Sequence, residues 1–305
     1  MLRADFRHDV QTSALGHIRY NPNMSTERTL TLGHSPDSDD AFMFYGLAKG
    51  KIDAEGLIFE HVLRDIQTLN EWAKEGKLDT TAISLHAYAY VQDRYALLAH
   101  GASMGDKYGP MVITKEAVSI EQLEGKRIAI PGIMTSAYLA FLLFMDGRKF
   151  EAVPVYFQDI MQSVLSGEVD AGLIIHEGQL TYGSMGLHVA LDLGVWWDER
   201  TNTPLPLGVN AIRRDLGDEL MGKMSRVMRR SIEYSLTHRE EALEYALSFA
   251  RDMPAETADT FVGMYVNNLT LDMGVRGKKG IELLLGQSAE CGLIPAVQMP
   301  LAFVD

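Results

Sequence analysis

Short apolar runs and amphipathic segments alternate along the chain from Thr29 onward. The short runs predict strands, whereas apolar residues that recur every three or four positions predict helices. Segment 65–75, for example, carries Ile66, Leu69 and Trp72 at helical spacing. The alternation predicts an α/β protein in which helices cover parallel sheets. The predicted strands are 29–34, 57–63, 80–84, 95–100, 127–130, 153–157, 170–175, 187–193 and 207–212, and the predicted helices between them include 39–49, 65–75, 85–93, 135–145 and 159–166.

Two changes of pattern divide the chain into two βα series and a helical segment. The glycine-rich stretch 101–110 separates the two series and is expected to be a flexible loop between lobes. After the breaker Pro204-Leu205-Pro206 one strand returns, and from residue 215 to 291 the pattern is helical. We therefore predict two lobes around a ligand cleft, with the mostly helical C-terminal segment packing on the first lobe. The predicted limits are an N-terminal extension at 1–28, a first lobe at 29–110 plus 208–305, and a second lobe at 111–207.

Composition and charge narrow the classes of partner. The 305 residues carry a net charge of −13, which argues against a nucleic-acid partner because phosphate binding needs a face rich in lysine and arginine. One cysteine excludes an internal disulfide, and no apolar run approaches the ~20 residues of a membrane span. Residues 1–23 lack an apolar stretch of signal-peptide length. A cytoplasmic enzyme is therefore expected, and the sequence leaves a homodimer open.

Polar residues follow predicted strands at four places, which together predict a small-molecule site. Ligands bind at the carboxyl ends of strands in open α/β sheets. His176 directly follows the buried strand 170–175, where a histidine can take or give a proton near neutral pH. Ser84 and Thr135 stand at helix starts, where hydroxyls cap the helix and free backbone N–H groups can bind a carboxylate. The four places are residues 35–40, 84–86, 131–136 and 176.

Three acids, Asp37, Asp39 and Asp40, lie at the start of a predicted helix. An EF-hand is excluded, because the positions that a calcium loop needs as Gly and Glu are Phe42 and Ala48. Capping of the helix by Asp39 or Asp40 is the preferred interpretation, while Asp40 is also a candidate ligand contact. The histidines lack a metal-binding spacing, so no metal site is predicted.

One short motif suggests a hydrolase at first sight. Residues 101–105 read G-A-S-M-G and match the nucleophile motif G-x-S-x-G. That motif requires a helix directly after the serine, whereas D-K-Y-G-P follows here and would break one. A serine hydrolase is therefore excluded, and the absence of G-x-G-x-x-G likewise argues against dinucleotide binding.

Four segments together resemble a known enzyme family. Residues 35–44, S-P-D-S-D-D-A-F-M-F, look like its opening motif S-P-x-x-[ND]-D-x-F-x-F, and residues 171–177 read A-G-L-I-I-H-E as in the family. D-L-G-V-W-W at 192–197 and P-L-P-L-G at 204–208 look like two later motifs. From Thr29 to its C-terminus the chain resembles the MqnD family, the 1,4-dihydroxy-6-naphthoate synthases of the futalosine route to menaquinone. At 37–41 it has D-S-D-D-A where the family pattern is C-P-N-D-T.

The resemblance implies a two-lobed fold like that of the type II periplasmic binding proteins. It implies a lyase that converts cyclic dehypoxanthine futalosine, a carboxylate, to 1,4-dihydroxy-6-naphthoate, with no metal or organic cofactor. His176 would be the general base, and Ser84 with Thr135 or Ser136 would bind the substrate carboxylate. Loss of a proton next to a carbonyl, followed by aromatisation, suits a neutral imidazole and needs no redox cofactor.

Two other functions remain as alternatives. One is a chorismate dehydratase of the sister family MqnA, which has the same fold. The L-I-I-H-E and D-L-G-x-W-W segments favour MqnD over it. The other is a solute-binding protein for a small carboxylate, without catalysis, for which the sequence supplies no export signal.

Overall fold

The structure is a computed structural model, and it describes residues 28–250 and 254–305. The predicted N-terminal extension lies outside the described residues, apart from Arg28, which begins the first strand. No helix within the described ranges is long and apolar enough to span a membrane.

Strands and helices alternate through most of the described residues, and near the end helices follow one another from residue 218 to residue 290, before a last short strand. The strands are β1 (Arg28–His34), β2 (Leu57–Leu63), β3 (Thr80–Ser84), β4 (Tyr95–Leu98), β5 (Ser103–Gly105), β6 (Met111–Thr114), β7 (Arg127–Ile130), β8 (Glu151–Pro154), β9 (Ala171–Ile174), β10 (His188–Asp192), β11 (Leu205–Arg213) and β12 (Phe303–Val304). The helices are α1 (Ser38–Met43), α2 (Tyr45–Ala48), α3 (Ile66–Glu75), α4 (Leu85–Tyr88), α5 (Ser136–Met145), α6 (Ile160–Ser166), α7 (Gly178–Thr181), α8 (Leu193–Thr201), α9 (Asp218–Thr237), α10 (Arg239–Leu247), α11 (Ala255–Tyr265), α12 (Asn268–Leu271) and α13 (Gly274–Glu290).

The strands form two separate sheets, one in each lobe. The first has the order β12-β4-β11-β3-β1-β2, with β5 also paired to β11, and the second has the order β10-β6-β9-β7-β8. β1 runs parallel to β2 and β3, but β11 is antiparallel to β3 and β4, and β6 is antiparallel to β9 and β10. The prediction of parallel sheets is confirmed for the βα units, such as β1 with β2 and β7 with β8, but each sheet as a whole is mixed. The reason is that β6 and β11 carry the chain between lobes and enter each sheet against the direction of its βα units.

The helical C-terminal segment covers the first lobe. α9 packs on α2 and β12, and its Met224 and Met228 are fully buried in one cluster with Leu32 of β1 and Ile212 of β11. α13 packs on β11 and also touches α5 of the second lobe. α5 is apolar on nearly every side, because α8, α13 and β11 surround it. The limits predicted for the two lobes stay a prediction.

Several segments differ from the pattern-based expectation, among them β6, which was not predicted, and the predicted helix 85–93, of which only Leu85–Tyr88 is α-helical. The stretch 101–110 is not a plain loop, because Ser103–Gly105 forms β5 and pairs antiparallel with β11. A three-residue strand with a partner so distant in sequence leaves no periodic signal. The predicted helix 39–49 is two short helices, α1 and α2, which meet at Phe44.

Candidate active site

A cleft lies between the two lobes. The first lobe lines it with the start of α1, the end of β3 and part of β11. The second lobe contributes the start of α5 and the segment that follows β9. The residues predicted for the site all line this cleft, namely Asp40, Ser84, Thr135, Ser136 and His176. A ligand in the cleft would be within reach of each, and their roles stay predictions.

His176 lies just beyond the end of β9 in a tight left-handed turn. Its φ is +53°, a conformation that costs residues with a side chain roughly 1–2 kcal/mol. The imidazole is 18% exposed, with Nδ1 3.4 Å from Oδ2 of Asp37. Its ring centroid lies 4.9 Å from that of Phe157 and 6.5 Å from that of Phe261. Nδ1 therefore faces a carboxylate, which leaves Nε2 as the ring nitrogen available to a ligand.

Asp37, Asp39 and Asp40, which we call the acidic corner, are all buried against this end of the cleft. The structure corrects the capping interpretation. Asp37 occupies the N-cap position of α1 without forming a capping bond, and Asp39 and Asp40 lie inside the first turn. Asp40 instead accepts a hydrogen bond from the backbone N–H of Ser35 at 2.7 Å. One oxygen each of Asp37 and Asp39 has no hydrogen-bond partner among the described residues.

Burial and mutual repulsion change the ionisation of the acidic corner. Burial raises the pKa of Asp39, and the carboxylates of Asp37 and Asp40 raise it further. Burial and Asp37 also raise the pKa of Asp40, while the bond from Ser35 opposes the change. Within the described ranges no lysine or arginine pairs with any of the three. Asp39 and Asp40 therefore keep protons at pH values where free aspartate is ionised.

The same corner could geometrically hold a metal ion. Ligand atoms of Asp37, Asp39 and His176 all lie within 4.8 Å of one another. A proton shared between the carboxyl groups of Asp37 and Asp39 would occupy the same space. The absence of a metal stays a prediction from the sequence.

Ser84, Thr135 and Ser136, which we call the hydroxyl wall, lie on the other side of the cleft. Ser84 Oγ accepts a hydrogen bond from Nδ2 of the buried Asn70 at 3.0 Å, and Asn70 Oδ1 accepts the N–H of Ser84 at 2.9 Å. The side chain of Ser84 makes no capping bond to α4. Its oxygen is thus fixed by Asn70, and its own proton remains available for a ligand.

The hydroxyls of Thr135 and Ser136 are already used within the protein. Thr135 caps α5 as predicted, since its Oγ1 accepts the N–H of Tyr138 at 3.3 Å and also donates to the carbonyl of Gly132 at 2.9 Å. Ser136 Oγ accepts the N–H of Leu85 at 2.8 Å and donates to the carbonyl of Leu207. Both side chains fix the start of α5. The backbone N–H groups of Ser136 and Ala137, which precede Tyr138, have no partner within the helix.

Polar contacts join the lobes on both sides of the cleft. On one side, the N–H of Met134 donates to Gln67 Oε1 at 3.1 Å, and Asn70 donates to the carbonyl of Met134 at 3.3 Å. On the other, Tyr265 of α11 donates its hydroxyl to Gln179 Oε1 at 2.8 Å. Burial raises the pKa of Tyr265, so it is a neutral donor. Sequence patterns did not single out these side chains, because each depends on the meeting of distant segments.

Asn210 is a further lining residue that the sequence did not indicate. It lies on β11 and is 1% exposed. Its Nδ2 donates to the carbonyl of Gly101 at 2.9 Å, while Oδ1 has no partner among the described residues. A buried polar atom without a partner at a cleft wall is suited to a ligand donor. A single polar residue inside an apolar strand was the available signal.

A family profile and two named proteins each match most of this chain. A family profile described as "Menaquinone biosynthesis" matches residues 30–290. A protein of Thermus thermophilus named "1,4-dihydroxy-6-naphtoate synthase" is 42% identical over 272 residues, which cover 89% of this chain and 98% of that protein. A protein of the same name from Streptomyces coelicolor is 36% identical and covers 88% of this chain and 96% of its own length.

Two solved structures also match most of this chain. A crystal structure of an Archaeoglobus fulgidus protein matches 87% of this chain and 98% of its own, with 46% identity and a TM-score of 0.83. A Candida albicans protein described as having the generic periplasmic binding protein fold matches with a TM-score of 0.66 at 16% identity, covering 88% of this chain and 92% of its own. The predicted two-lobed fold of the periplasmic-binding-protein type is therefore confirmed.

Proposed function

Because the chain belongs to the 1,4-dihydroxy-6-naphthoate synthase family of menaquinone biosynthesis, we propose that it is a carbon–carbon lyase that converts cyclic dehypoxanthine futalosine to 1,4-dihydroxy-6-naphthoate. Family membership makes it an enzyme of menaquinone biosynthesis, and the substrate, the reaction and the base are our proposal. The observation that best supports this proposal is the position of His176. Its imidazole lies in the interlobe cleft, with Nδ1 against Asp37 and Nε2 free of protein partners among the described residues.

In the proposed reaction, Nε2 of the neutral imidazole removes a proton from the carbon next to the substrate carbonyl. The electron pair of that C–H bond enters the ring system, the electron pair of the scissile carbon–carbon bond leaves with the departing fragment, and the product becomes aromatic. The proton remains on Nε2 until it returns to the departing fragment or to water. The rings of Phe157 and Phe261 beside His176 limit water at this point. A positioned base of this kind contributes ~10²–10⁴-fold to the rate.

The substrate carboxylate is proposed to bind at the hydroxyl wall, away from the acidic corner. Ser84 donates its free hydroxyl proton, and the first-turn N–H groups of α5 donate alongside it. The helix dipole favours an anion at this point. Thr135 and Ser136 contribute mainly by fixing the start of α5, because their hydroxyl protons already have acceptors. Burial and the carboxylate of Asp37 raise the pKa of Asp40, so in its protonated form it can donate to a neutral part of the substrate.

The test is direct conversion by the purified full-length chain. Incubation with cyclic dehypoxanthine futalosine, followed by mass detection, should give 1,4-dihydroxy-6-naphthoate at a rate proportional to enzyme concentration. Chorismate is the substrate for a parallel incubation. Dehydration of chorismate without naphthoate formation would replace the proposal by the MqnA-like activity. Tight binding of the futalosine derivative with no turnover would indicate a solute-binding protein.

A further inference from the structure

Asp37 and His176 reach each other from opposite lobes. Asp37 precedes α1 in the first lobe, and its side chain is 3% exposed. His176 follows β9 of the second lobe, where its neighbouring ring is Phe157. The 3.4 Å contact between Nδ1 and Oδ2 therefore crosses the cleft. The pair depends on the arrangement of the lobes, because neither lobe holds both members.

A carboxylate at Nδ1 has a defined effect on a histidine base. Neutral imidazole carries one proton, and only the nitrogen without it can accept another. A carboxylate beside Nδ1 favours the form that has the proton there, which leaves the lone pair on Nε2. When Nε2 then takes a proton, the same carboxylate stabilises the positive imidazolium. The contact thus selects the competent tautomer and favours the charged product of proton transfer.

We propose that Asp37 is a positioning residue that holds His176 with its Nε2 lone pair towards the substrate, and that the pair is complete only when the lobes are together. This inference rests on the proposed function of His176 as the base. It adds a residue that acts through His176 and does not itself contact the reacting atoms.

In this proposal Asp39 holds the proton, because burial and the carboxylates of Asp37 and Asp40 raise the pKa of Asp39. Both oxygens without a partner, Asp37 Oδ1 and Asp39 Oδ1, belong to neighbouring carboxyl groups. One proton held by Asp39 and donated to Asp37 would satisfy both atoms. Asp37 then keeps its charge for His176 on its other oxygen. The further titratable groups at this end of the cleft are Asp40 of α1, Glu177 beside His176, Tyr265 of α11 and the exposed Asp159 on the turn that carries Phe157.

The experiment compares Asp37→Asn with the matched variant Asp39→Asn. Both substitutions keep the size of the side chain, and each removes one carboxyl group from the acidic corner. Turnover of cyclic dehypoxanthine futalosine is measured for both and for the wild type from about pH 5 to about pH 9, where histidine changes charge. In Asp37→Asn we expect kcat to fall about tenfold or more with little change in KM. We expect the acid limb of its pH profile to move to lower pH, because the carboxylate that favours the imidazolium is gone.

Asp39→Asn should keep its acid limb at the wild-type pH. An asparagine amide can donate to Asp37 as a protonated carboxyl does, so the charge beside His176 is unchanged. A shift in Asp39→Asn as large as that in Asp37→Asn would overturn the assignment of the charge to Asp37. An Asp37→Asn enzyme with the wild-type limb and kcat would overturn the positioning role itself.

The protonation of the His176 ring nitrogens can be measured without turnover. This measurement tests the role of Asp37 separately from the proposed enzyme activity. In protein with ¹⁵N-labelled histidine, NMR reports which ring nitrogen of His176 carries the proton. We expect the Nδ1–H form in the wild type and a shift towards the Nε2–H form in Asp37→Asn. A tautomer that depends on Asp37 in a protein without synthase activity would refute the proposed function alone. An unchanged tautomer in Asp37→Asn would refute the pairing.

Two controls test whether the Asp37→Asn variant folds and whether the acidic corner binds a metal ion. If Asp37→Asn does not fold, as judged by its melting curve, Asp37→Ser removes the same carboxylate with a smaller side chain and carries the same expectations. Addition of Zn²⁺ to chelator-treated wild type should leave the His176 signals in place. A stoichiometric shift of these signals by Zn²⁺, lost in Asp39→Asn, would overturn the shared proton in favour of a metal site.

Discussion

The two sides of the cleft use their polar groups in opposite ways. On the hydroxyl wall, the oxygens of Ser84, Thr135 and Ser136 all accept hydrogen bonds from within the protein. In the acidic corner, one oxygen each of Asp37 and Asp39 is buried without a partner. The hydroxyl wall is therefore organised before a ligand arrives, whereas the acidic corner holds more carboxyl groups than its surroundings can neutralise.

The two sides of the cleft therefore have different expected roles, one in positioning the substrate and the other in acid–base chemistry. Satisfied polar groups rigidify a wall and position backbone donors, and they contribute to binding through shape and N–H direction. Buried acids without cations change their proton occupancy, which is the property that acid–base chemistry uses. We therefore expect substitutions of Asp37 and His176 to change turnover and its pH dependence, and substitution of Asp39 to change the pH dependence of stability. Substitutions on the hydroxyl wall should change affinity and stability.

The largest effect is expected for His176→Asn. Asparagine keeps a polar side chain but cannot accept a proton near neutral pH, so kcat should fall about 10²-fold or more with near-normal substrate binding. The acid limb of the pH profile should disappear with the histidine. His188→Asn is the matched control, because His188 is exposed on β10 and should keep the wild-type rate. An asparagine enzyme that retains the rate and the acid limb would show that His176 only orients the substrate.

Ser84→Ala should give the next largest effect, and we expect that effect on substrate affinity. Its hydroxyl is the one on that wall whose proton has no acceptor among the described residues. Loss of a hydrogen bond to a charged group costs roughly 1.5–3 kcal/mol, so KM should rise by about ten- to a hundredfold with a smaller change in kcat. Ser184→Ala, at an exposed serine on the second lobe, is the control. An unchanged KM would remove Ser84 from the carboxylate site.

The comparison also shows what the sequence could predict. Local patterns predicted most strands to within a few residues, because burial and helical spacing are local properties. They missed β5, β6 and β12, strands of two to four residues that gain stability only by pairing with strands distant in sequence. The strand-end rule selected His176, but its partner Asp37 was interpreted as part of a helix start. A contact between segments so far apart in the chain leaves no trace in spacing.

The motifs that indicate the family are not all functional. In D-L-G-V-W-W, Asp192 caps α8 by accepting the N–H groups of Gly194 and Val195, at 2.8 and 3.1 Å. A side chain at Gly194 would collide with the carbonyl of Tyr108, since an added Cβ would lie 1.9 Å from its oxygen. Trp197 is fully buried and donates its indole N–H to Thr203. This motif identifies the family by its packing, whereas L-I-I-H-E contains the proposed base His176.

A stability measurement tests the acidic corner independently of substrate. The pKa of Asp39 is raised in the folded protein, so the folded state keeps a proton that the unfolded chain loses above about pH 4. Stability therefore falls as pH rises from there, until the folded carboxyl ionises. Asp39→Asn removes this loss and should raise the free energy of unfolding by about 1–3 kcal/mol at pH 8. Its advantage should shrink towards pH 4 in denaturant titrations, and a difference independent of pH would argue against a protonated Asp39.

The smallest effect is expected for Thr135→Val, which should lower stability more than it lowers substrate affinity. Valine keeps the branched shape but loses the oxygen that caps α5, and loss of an N-cap typically costs ~1 kcal/mol. In a protein of this size that lowers the melting temperature by about 2–4 °C. Because the Thr135 proton already goes to Gly132, substrate affinity should fall less than in Ser84→Ala. Thr135→Ser keeps the hydroxyl and should restore most of the stability. If Thr135→Val instead weakens binding as much as Ser84→Ala and melts like the wild type, its hydroxyl must leave Gly132 for the ligand, and the hydroxyl wall would be organised by the substrate rather than before it.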